Sequence, residues 1–213
     1  MYLTFDTETT GLPKNYSAPI SETDNWPRMV QIAWQINDKS GNLISSESHI
    51  IKPKGYTIPF NAEKIHGIST QKAIDKGKEI KYVLKKFNNE LKKNKYIIGH
   101  NINFDVNILG SEFYRSKIKT SLLEKESIDT GLISKEFCQL EGGFGGKLKM
   151  PKLIELYNIL FESDFSDAHD ARADVNATAK CFFELMKRKV FETEESKLTD
   201  IKYEGVEIKE SNF

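Results

Sequence analysis

The sequence predicts an α/β fold in which helices cover both faces of a mixed, five-stranded sheet. Residues 30–37 and 43–51 flank the turn sequence Asp-Lys-Ser-Gly, as expected for an antiparallel hairpin. From residue 61 onward, helical segments alternate with short apolar strands, which is typical of parallel strands joined by helices. A hairpin followed by such an alternation indicates a mixed sheet.

The strands are predicted from short apolar runs and from alternation. The first begins at Leu3, and the second has apolar Val30, Ile32, Trp34 and Ile36 at alternate positions. We expect the remaining strands at residues 43–51, 96–98 and 127–130.

The helices are predicted from their 3.6-residue periodicity and their end signals. Between residues 79 and 93, Val83, Leu84, Phe87 and Leu91 share one face and lysines occupy the other. Pro151 suits the first position of a helix that runs to residue 161. The other helices are expected at residues 61–66, 69–75, 102–117 and 171–189, with one more directly after residue 130.

The composition predicts one domain at residues 1–190 with an acidic tail at residues 191–213. The first residues have no basic or long apolar leader, and no apolar run approaches the roughly 20 residues of a membrane span. We therefore expect a cytoplasmic protein without a membrane partner. Cys138 and Cys181 are interpreted as reduced packing thiols.

The formal net charge of +0 and the pI of 6.9 argue against a general nucleic-acid coat. The charge is unevenly distributed, because the tail carries seven acids against three lysines. The body is therefore basic enough to meet a phosphate backbone. The lysines of residues 81–95 are interpreted as a solvated helix face, with a DNA track as the alternative.

Asp6 and Glu8 are the first candidate site residues. They lie two apart at the end of the first apolar run, and residues two apart in a strand project to the same face. Two adjacent carboxylates repel each other unless a cation joins them, which is most often a divalent metal ion.

Two later segments supply further ligands for such an ion. Asp105 is expected in the first turn of a helix that Asn101 caps, at the carboxyl end of the fourth strand. His169 is expected in a loop, Asp170 at the next helix N-cap and Asp174 one turn into that helix. With this arrangement, the side chains of His169 and Asp174 can point into one cleft.

This ordered set of motifs resembles the DEDD exonucleases of the His type (DEDDh), the group that contains the proofreading epsilon subunit of bacterial DNA polymerase III. The resemblance spans roughly residues 1–187 and includes the flanking sequences Thr-Gly-Leu at 10–12, His-Asn at 100–101 and Ile-His-Gly-Ile at 65–68. It implies an RNase H-like fold and a 3′-to-5′ exonuclease that releases nucleoside 5′-monophosphates.

The ligand types favour two Mg²⁺ or Mn²⁺ ions, because carboxylates are hard ligands and there is no Cys or His cluster for zinc. We assign Asp6 as the bridging ligand, Glu8 and Asp174 to one ion, and Asp105 to the other. The resemblance implies that His169 takes a proton from the attacking water.

The resemblance also implies a pocket for the terminal nucleotide. The amides of Thr10 and Gly11 would hold its sugar, and Leu12 would wedge against its base. Asn101, Phe104 and His66 are weaker candidates for the same pocket. For His66 a structural role at a helix end is an equal alternative.

Two loops stand apart from the scaffold. Residues 13–27 contain Tyr16 and Trp26, which are interpreted either as aromatics that stack on single-stranded bases or, for Trp26, as a packing residue. The glycine-rich residues 141–150 lack the pattern of a phosphate-binding loop. They are interpreted as a connector, with a lid that uses Lys147 and Lys149 as the alternative.

The first hypothesis for the function is a DNA exonuclease of the proofreading or repair type that acts on single strands or frayed 3′ ends. An RNA-trimming enzyme related to RNase T or oligoribonuclease has the same chemistry and stays open. A non-cutting subunit that binds 3′ ends or a DNA polymerase is the alternative from another class. The tail is shorter than the tails of the long epsilon subunits. If the chain nevertheless acts as such a subunit, a DNA polymerase subunit would be its partner.

Overall fold

The computed structural model describes residues 1–165 and 170–194. Its five strands are β1 (Tyr2–Thr9), β2 (Met29–Asn37), β3 (Leu43–Ile50), β4 (Tyr96–Gly99) and β5 (Glu126–Asp129). They form one sheet in the order β3-β2-β1-β4-β5. The expected bounds of the five strands are met to within a few residues.

Seven α-helices connect or cover the strands within the described residues. Short 3₁₀ turns lie at Leu122–Glu124 and Phe144–Gly146. The helices are α1 (Phe60–His66), α2 (Thr70–Lys76), α3 (Ile80–Lys93), α4 (Ile102–Ser116), α5 (Thr130–Cys138), α6 (Leu153–Phe161) and α7 (Ala171–Lys187).

The sheet is mixed. β1 pairs antiparallel with β2 and β2 with β3, whereas β1 pairs parallel with β4 and β4 with β5. The carboxyl ends of β1, β4 and β5 therefore meet at one edge, where ligands collect in open α/β sheets. The ladder between β1 and β4 runs only from Tyr2 to Thr4, so the rest of β1 extends beyond its parallel neighbour.

Each face of the sheet has its own core. On one face, α3 and α4 pack against β1 and β2 through a cluster that includes Trp34, Phe87 and Phe113. On the other face, α7 packs its Phe182 against Tyr2 of β1, and α5 and α6 extend that layer. Helices on both faces of a five-stranded mixed sheet confirm the fold predicted from the sequence.

The packing of α3 follows its sequence pattern. Its inward residues Val83, Leu84, Phe87 and Leu91 are fully buried, whereas Lys85, Lys92 and Lys93 are exposed. Cys138 and Cys181 are both buried and free, in the cluster between α5, α6 and α7. The prediction of reduced packing thiols is therefore confirmed.

The start of α6 differs from the prediction. Pro151 was expected at its first helical position, but the helix begins at Leu153 with Lys152 as its N-cap. The Glu155 carboxylate accepts the Lys152 N–H at 2.8 Å, and this bond ends the preceding loop after Pro151.

The chain beyond α7 continues along the body. Phe191 packs against the Tyr2 cluster, Thr193 hydrogen-bonds the Tyr2 hydroxyl at 2.9 Å, and Lys95 contacts Glu194 at 3.0 Å. The rest of the predicted tail lies outside the described residues. Among the described helices, none has the length and apolar character to cross a membrane.

Candidate active site

Three carboxylates converge at the carboxyl end of β1. Asp6 and Glu8 face the same side of the strand, and Asp174 approaches them from α7. One carboxylate oxygen from each of the three lies within 4.8 Å of the others. We call Asp6, Glu8 and Asp174 the acid cluster. The structure thus brings together three of the four predicted metal ligands.

Local sequence places Asp174 in this position. The Asp170 side chain caps α7 by accepting the backbone N–H groups of Arg172 at 2.9 Å and Ala173 at 3.4 Å. The helix therefore begins where predicted, with Asp174 in its first turn. Small residues allow its close approach to the sheet, because Ala171 and Val175 pack directly on Ala33 of β2. His169 lies outside the described residues.

Asp105 reaches the same edge from the opposite face of the sheet. It lies in the first turn of α4, as predicted, and is only 3% exposed. Its Oδ1 accepts the Thr7 backbone N–H at 3.0 Å and the Thr7 hydroxyl at 2.6 Å. The ladder between β1 and β4 ends at Thr4, so the Thr7 N–H has no partner on β4 and donates to Asp105 instead. Asp105 is therefore held beside the acid cluster rather than within it.

The electrostatics of the site are unfavourable without a cation. Burial raises the pKa of Asp6 well above its ordinary value, and the carboxylates of Asp105, Glu8 and Asp174 raise it further. Burial and the charge of Asp174 raise the pKa of Glu8 to about 8. Burial raises the pKa of Asp105 to about 7, although the two Thr7 hydrogen bonds act in the opposite direction. A bound cation reverses this balance by favouring the charged carboxylates.

The chemistry of this donor set fits a hard divalent cation. Carboxylate oxygens are the preferred protein ligands of Mg²⁺ and Mn²⁺, and the acid cluster offers three of them at the spacing of one coordination sphere. Among the described residues, the cluster contains no cysteine or histidine that would favour zinc.

The entry to α4 differs from the prediction in its mechanism. Asn101 occupies the N-cap position, but its side chain does not cap the helix, and its backbone is left-handed with φ 62°. Asparagine tolerates this conformation better than most residues. The Asn101 N–H donates to Asp129 Oδ1 at 3.0 Å, so the bend is held from β5 instead.

Asp129 is a residue that the sequence reasoning did not single out. Besides Asn101, its Oδ1 accepts the N–H groups of Gly131 at 2.9 Å and Leu132 at 3.3 Å, which caps α5. Its charge also raises the pKa of Asp105. An aspartate that closes a strand directly before a helix is a recognisable cap signal, and this signal could have identified it.

The Thr10–Leu12 segment leaves the end of β1 beside the acid cluster. Thr10 is fastened to Arg28, since its N–H donates to the Arg28 carbonyl at 2.9 Å and its hydroxyl accepts the Arg28 N–H at 2.9 Å. Gly11 has φ 150°, a conformation that residues with a Cβ rarely adopt. The Leu12 side chain is 74% exposed, so its apolar surface is available for contact.

The weaker pocket candidates have different environments. His66 ends α1, is buried, and accepts the Ile68 N–H on Nδ1 at 3.1 Å, as the structural alternative predicts. Burial lowers its pKa, and the neighbouring main chain of Thr9 acts in the opposite direction. His66 therefore also lies next to the Thr10–Leu12 segment. Phe104 is partly buried against the α3–α4 core.

The two loops are more ordered by local contacts than their sequences indicate. Trp26 is 3% exposed and donates its indole N–H to the Pro19 carbonyl at 3.1 Å, so it is a packing residue and the stacking interpretation is wrong for it. Tyr16 is exposed. In the glycine-rich loop, Lys149 pairs with Glu155 at 2.6 Å, whereas Phe144 at the tip is fully exposed.

Comparison with protein families identifies an exonuclease family over most of the chain. The family described as exonuclease, of the RNase T group, matches residues 3–182. A search of the curated proteins found no match.

Comparison with solved structures gives matches to exonuclease I. One exonuclease I structure has a TM-score of 0.71 at 23% identity, and the zinc-bound complex of E. coli exonuclease I with single-stranded DNA has 0.71 at 24%. The complex of the E. coli enzyme with a dA16 oligonucleotide has 0.69 at 22%. Each match covers 89% of this chain but 42% of the exonuclease I chain. At these identities the likeness concerns the fold, and this chain spans less than half of those proteins.

Proposed function

We propose that this chain, which belongs to the exonuclease family matched over residues 3–182, removes nucleotides one at a time from the 3′ end of single-stranded DNA with the help of divalent metal ions. Membership of the family makes the chain a nuclease. The polarity, the substrate and the residue roles are our proposal.

The observation that carries this proposal is the acid cluster. Three carboxylates from two separate elements meet within 4.8 Å, and burial and mutual repulsion raise the pKa of both Asp6 and Glu8. A fold keeps such an arrangement at a cost in stability, which a structural role does not require. Binding of a divalent cation removes that cost.

We assign the ligands to two Mg²⁺ or Mn²⁺ ions. Asp6 would be the shared ligand, Glu8 and Asp174 would complete one site, and Asp105 would contribute to the other. When bound, two such ions stabilise the attacking and leaving oxygens of a phosphodiester. Thr7 fixes the orientation of Asp105 through its two hydrogen bonds to Oδ1.

His169 is our proposed general base. Its neighbour in the chain, Asp170, contributes to the raised pKa of Asp6, so residue 169 is connected to the edge of the site by one peptide bond. A histidine with a pKa near its ordinary value of about 6.5 can accept a proton from water at neutral pH.

The Thr10–Leu12 segment is our proposed site for the terminal nucleotide. The Thr10 hydroxyl already accepts the Arg28 N–H, which keeps the segment in one conformation. The exposed Leu12 is suited to pack against the last base. Asn101, Phe104 and His66 are proposed to border this pocket.

DNA is preferred over RNA because structures of similar fold include complexes with single-stranded DNA oligonucleotides. We further propose a proofreading or repair setting in which the substrate is a frayed 3′ end, either alone or with a DNA polymerase subunit. Removal of mismatched and matched 3′ termini from a primed duplex compares these settings, since a proofreading enzyme removes the mismatch faster.

We also propose that residues 1–190 form the exonuclease domain and that residues 191–213 are a tail. Because Phe191, Thr193 and Glu194 contact the body, the informative truncation ends at residue 194. That truncated chain should fold and keep its nuclease activity.

The test is a nuclease assay with 5′-labelled single-stranded DNA and RNA of matched sequence, with Mg²⁺ or Mn²⁺. We expect a ladder that shortens from the 3′ end, is faster on DNA, and disappears in Asp6→Asn and His169→Ala. Asp75→Asn, an exposed acid on α2, is the matched control and should retain activity. An intact oligonucleotide that is nevertheless bound would favour the non-cutting subunit, and faster RNA shortening would favour the RNA-trimming enzyme.

A further inference from the structure

α4 carries two buried acids on one face. Asp105 and Glu112 are seven residues apart, which is close to two helical turns, and they are 3% and 1% exposed. Asp105 contacts β1 beside the acid cluster, as described above. Glu112, two turns further along the helix, contacts Met29 at the start of β2.

Glu112 is fully engaged by neighbouring donors. Its Oε1 accepts the Arg28 Nε at 2.8 Å, the Arg115 Nη1 at 3.0 Å and the Met29 backbone N–H at 3.2 Å. Its Oε2 contacts the Arg28 Nη2 at 3.4 Å. We call Glu112, Arg28 and Arg115 the Glu112 network. Charge-assisted hydrogen bonds of this kind fix the orientation of every member.

The Met29 N–H lies at an irregularity of the sheet. Glu8 pairs with Gln31, but Thr9 pairs with Met29, so Val30 is an extra residue on β2. Such a β-bulge bends the strand and redirects the side chains beyond it. The bulge of β2 lies opposite the step from Glu8 to Thr9, where β1 passes from the acid cluster to the Thr10–Leu12 segment, and Glu112 accepts the Met29 N–H at this bulge.

Arg28 connects the Glu112 network to that segment. Its main chain exchanges two hydrogen bonds with Thr10, each of 2.9 Å. Its guanidinium lies over the Tyr56 ring at 4.4 Å, and the Tyr56 hydroxyl donates to the Met29 carbonyl at 3.1 Å. The side chain and main chain of Arg28 are thus both fixed, and Thr10 has little freedom to move independently.

Arg115 extends the same network to the loop that follows. It donates to the carbonyls of Thr23 and Trp26, the latter at 2.6 Å. Arg115 of α4 therefore holds the end of the 13–27 loop, directly before β2. α4 therefore contacts β1 beside the acid cluster through Asp105, and it contacts the bulge beside the Thr10–Leu12 segment through Glu112.

We propose that Glu112 is a positioning residue for nucleotide binding, which acts through the bulge and Arg28 to hold Thr10, Gly11 and Leu12 against the terminal nucleotide. The inference rests on the proposed function, because it needs that segment to be the nucleotide site. Glu112 itself has no role in the chemical step. Its loss therefore weakens substrate binding and leaves turnover of the bound substrate unchanged.

The test compares Glu112→Gln with the wild type in steady-state kinetics on single-stranded DNA. We expect KM to rise about tenfold, which corresponds to about 1.4 kcal/mol of binding, with kcat within about twofold. Leu91→Ala is the matched control, because it removes a fully buried side chain of the same core far along α3. It lowers stability without touching the network, so its KM should stay unchanged.

A second comparison tests the route of action. Thr10→Val removes the hydroxyl that accepts the Arg28 N–H and should raise KM by itself. If Glu112 acts through Arg28 and Thr10, the double variant is no worse than the weaker binder of the two single variants. Effects on KM that multiply in the double variant would overturn the proposed route.

Two further outcomes overturn the proposal. One is a Glu112→Gln enzyme with unchanged KM and less folded protein, as in Leu91→Ala, which would make the network purely structural. The other is a fall in kcat with KM unchanged. If the wild type binds the oligonucleotide but does not cut it, the proposed function fails. The inference is then tested by the Kd for the oligonucleotide, measured in Ca²⁺, and Glu112→Gln should raise this Kd about tenfold.

Discussion

The acid cluster and the Glu112 network both lie near the carboxyl end of β1, and their carboxylates have opposite surroundings. In the cluster, the largest charge effects on Asp6 come from other carboxylates and raise its pKa. In the network, a single carboxylate that is 1% exposed meets two guanidinium groups at 2.8 Å and 3.0 Å.

This difference indicates which charges hold the fold and which await a ligand. A buried carboxylate paired with arginines and a backbone N–H stabilises a fixed geometry. Carboxylates that repel one another destabilise the fold until a cation joins them. The contrast predicts that neutralising one member has opposite effects on stability in the two regions.

The largest expected effect is that of Asp6→Asn on activity. Because loss of a residue that only supports a metal ligand costs about 10- to 100-fold, loss of the shared ligand should cost more than about 100-fold. The same change should raise the free energy of unfolding of the metal-free protein at pH 8, since a neutral amide avoids the cost of placing an ionisable carboxyl among other carboxylates. Oligonucleotide shortening and urea unfolding in a chelator measure the two effects. A less stable Asp6→Asn would remove the contrast.

The second prediction concerns Glu112→Gln. The neutral amide leaves the partly buried Arg28 and Arg115 without their buried counter-charge, so the free energy of unfolding should fall by about 3 kcal/mol. Urea unfolding of the wild type and the variant, under identical salt, gives this value. Replacement without loss of stability would mean that the network is not balanced as the geometry indicates.

The third prediction is a pH dependence of the metal-free protein. Glu8 with a pKa of about 8 and Asp105 with about 7 hold protons in the folded state that the unfolded chain has released. Stability should therefore decrease between about pH 5 and 8, by about 1.4 kcal/mol per pH unit for each such proton. Unfolding followed across this range measures the slope, and saturating Mg²⁺ should flatten it. A metal-free slope of opposite sign would contradict the raised pKa values.

The smallest expected effect is that of Thr7→Val. It removes the 2.6 Å hydroxyl bond to Asp105 but keeps the backbone bond and the shape of the side chain. We expect Thr7→Val to need about tenfold more Mn²⁺ for half-maximal activity, and Thr7→Ser to need as much as the wild type. Titration of activity with Mn²⁺ compares the three proteins. Equal weakening in the serine variant would indicate that the lost methyl group matters instead.

Much of this arrangement was predictable because its causes are local. Alternation in β2 and the apolar face of α3 gave those elements, and the Asp170 cap placed Asp174 in the first turn of α7. The convergence of Asp6 with Glu8 followed from strand geometry alone. The prediction that α6 begins at Pro151 was wrong, because the Glu155 carboxylate accepts the Lys152 N–H and sets the start of the helix.

The remaining features depend on contacts that are distant in the chain. Glu112 has one local partner, Arg115, but its partners Arg28 and Met29 are 84 and 83 residues away. The bend at Asn101 is held by Asp129, which belongs to another strand. Trp26 is different, because its partner is close in the chain: it donates its indole N–H to the Pro19 carbonyl, seven residues away, and composition alone does not reveal this contact.

The central claim is that the acid cluster exists to bind divalent metal. Calorimetric titration of Mn²⁺ into the metal-free protein at pH 8 tests it most directly, with Asp6→Asn and the surface control Asp75→Asn measured alongside. The wild type and the control should each bind two ions, and Asp6→Asn should lose that binding. Equal binding by all three proteins, or no binding by the wild type, would contradict it.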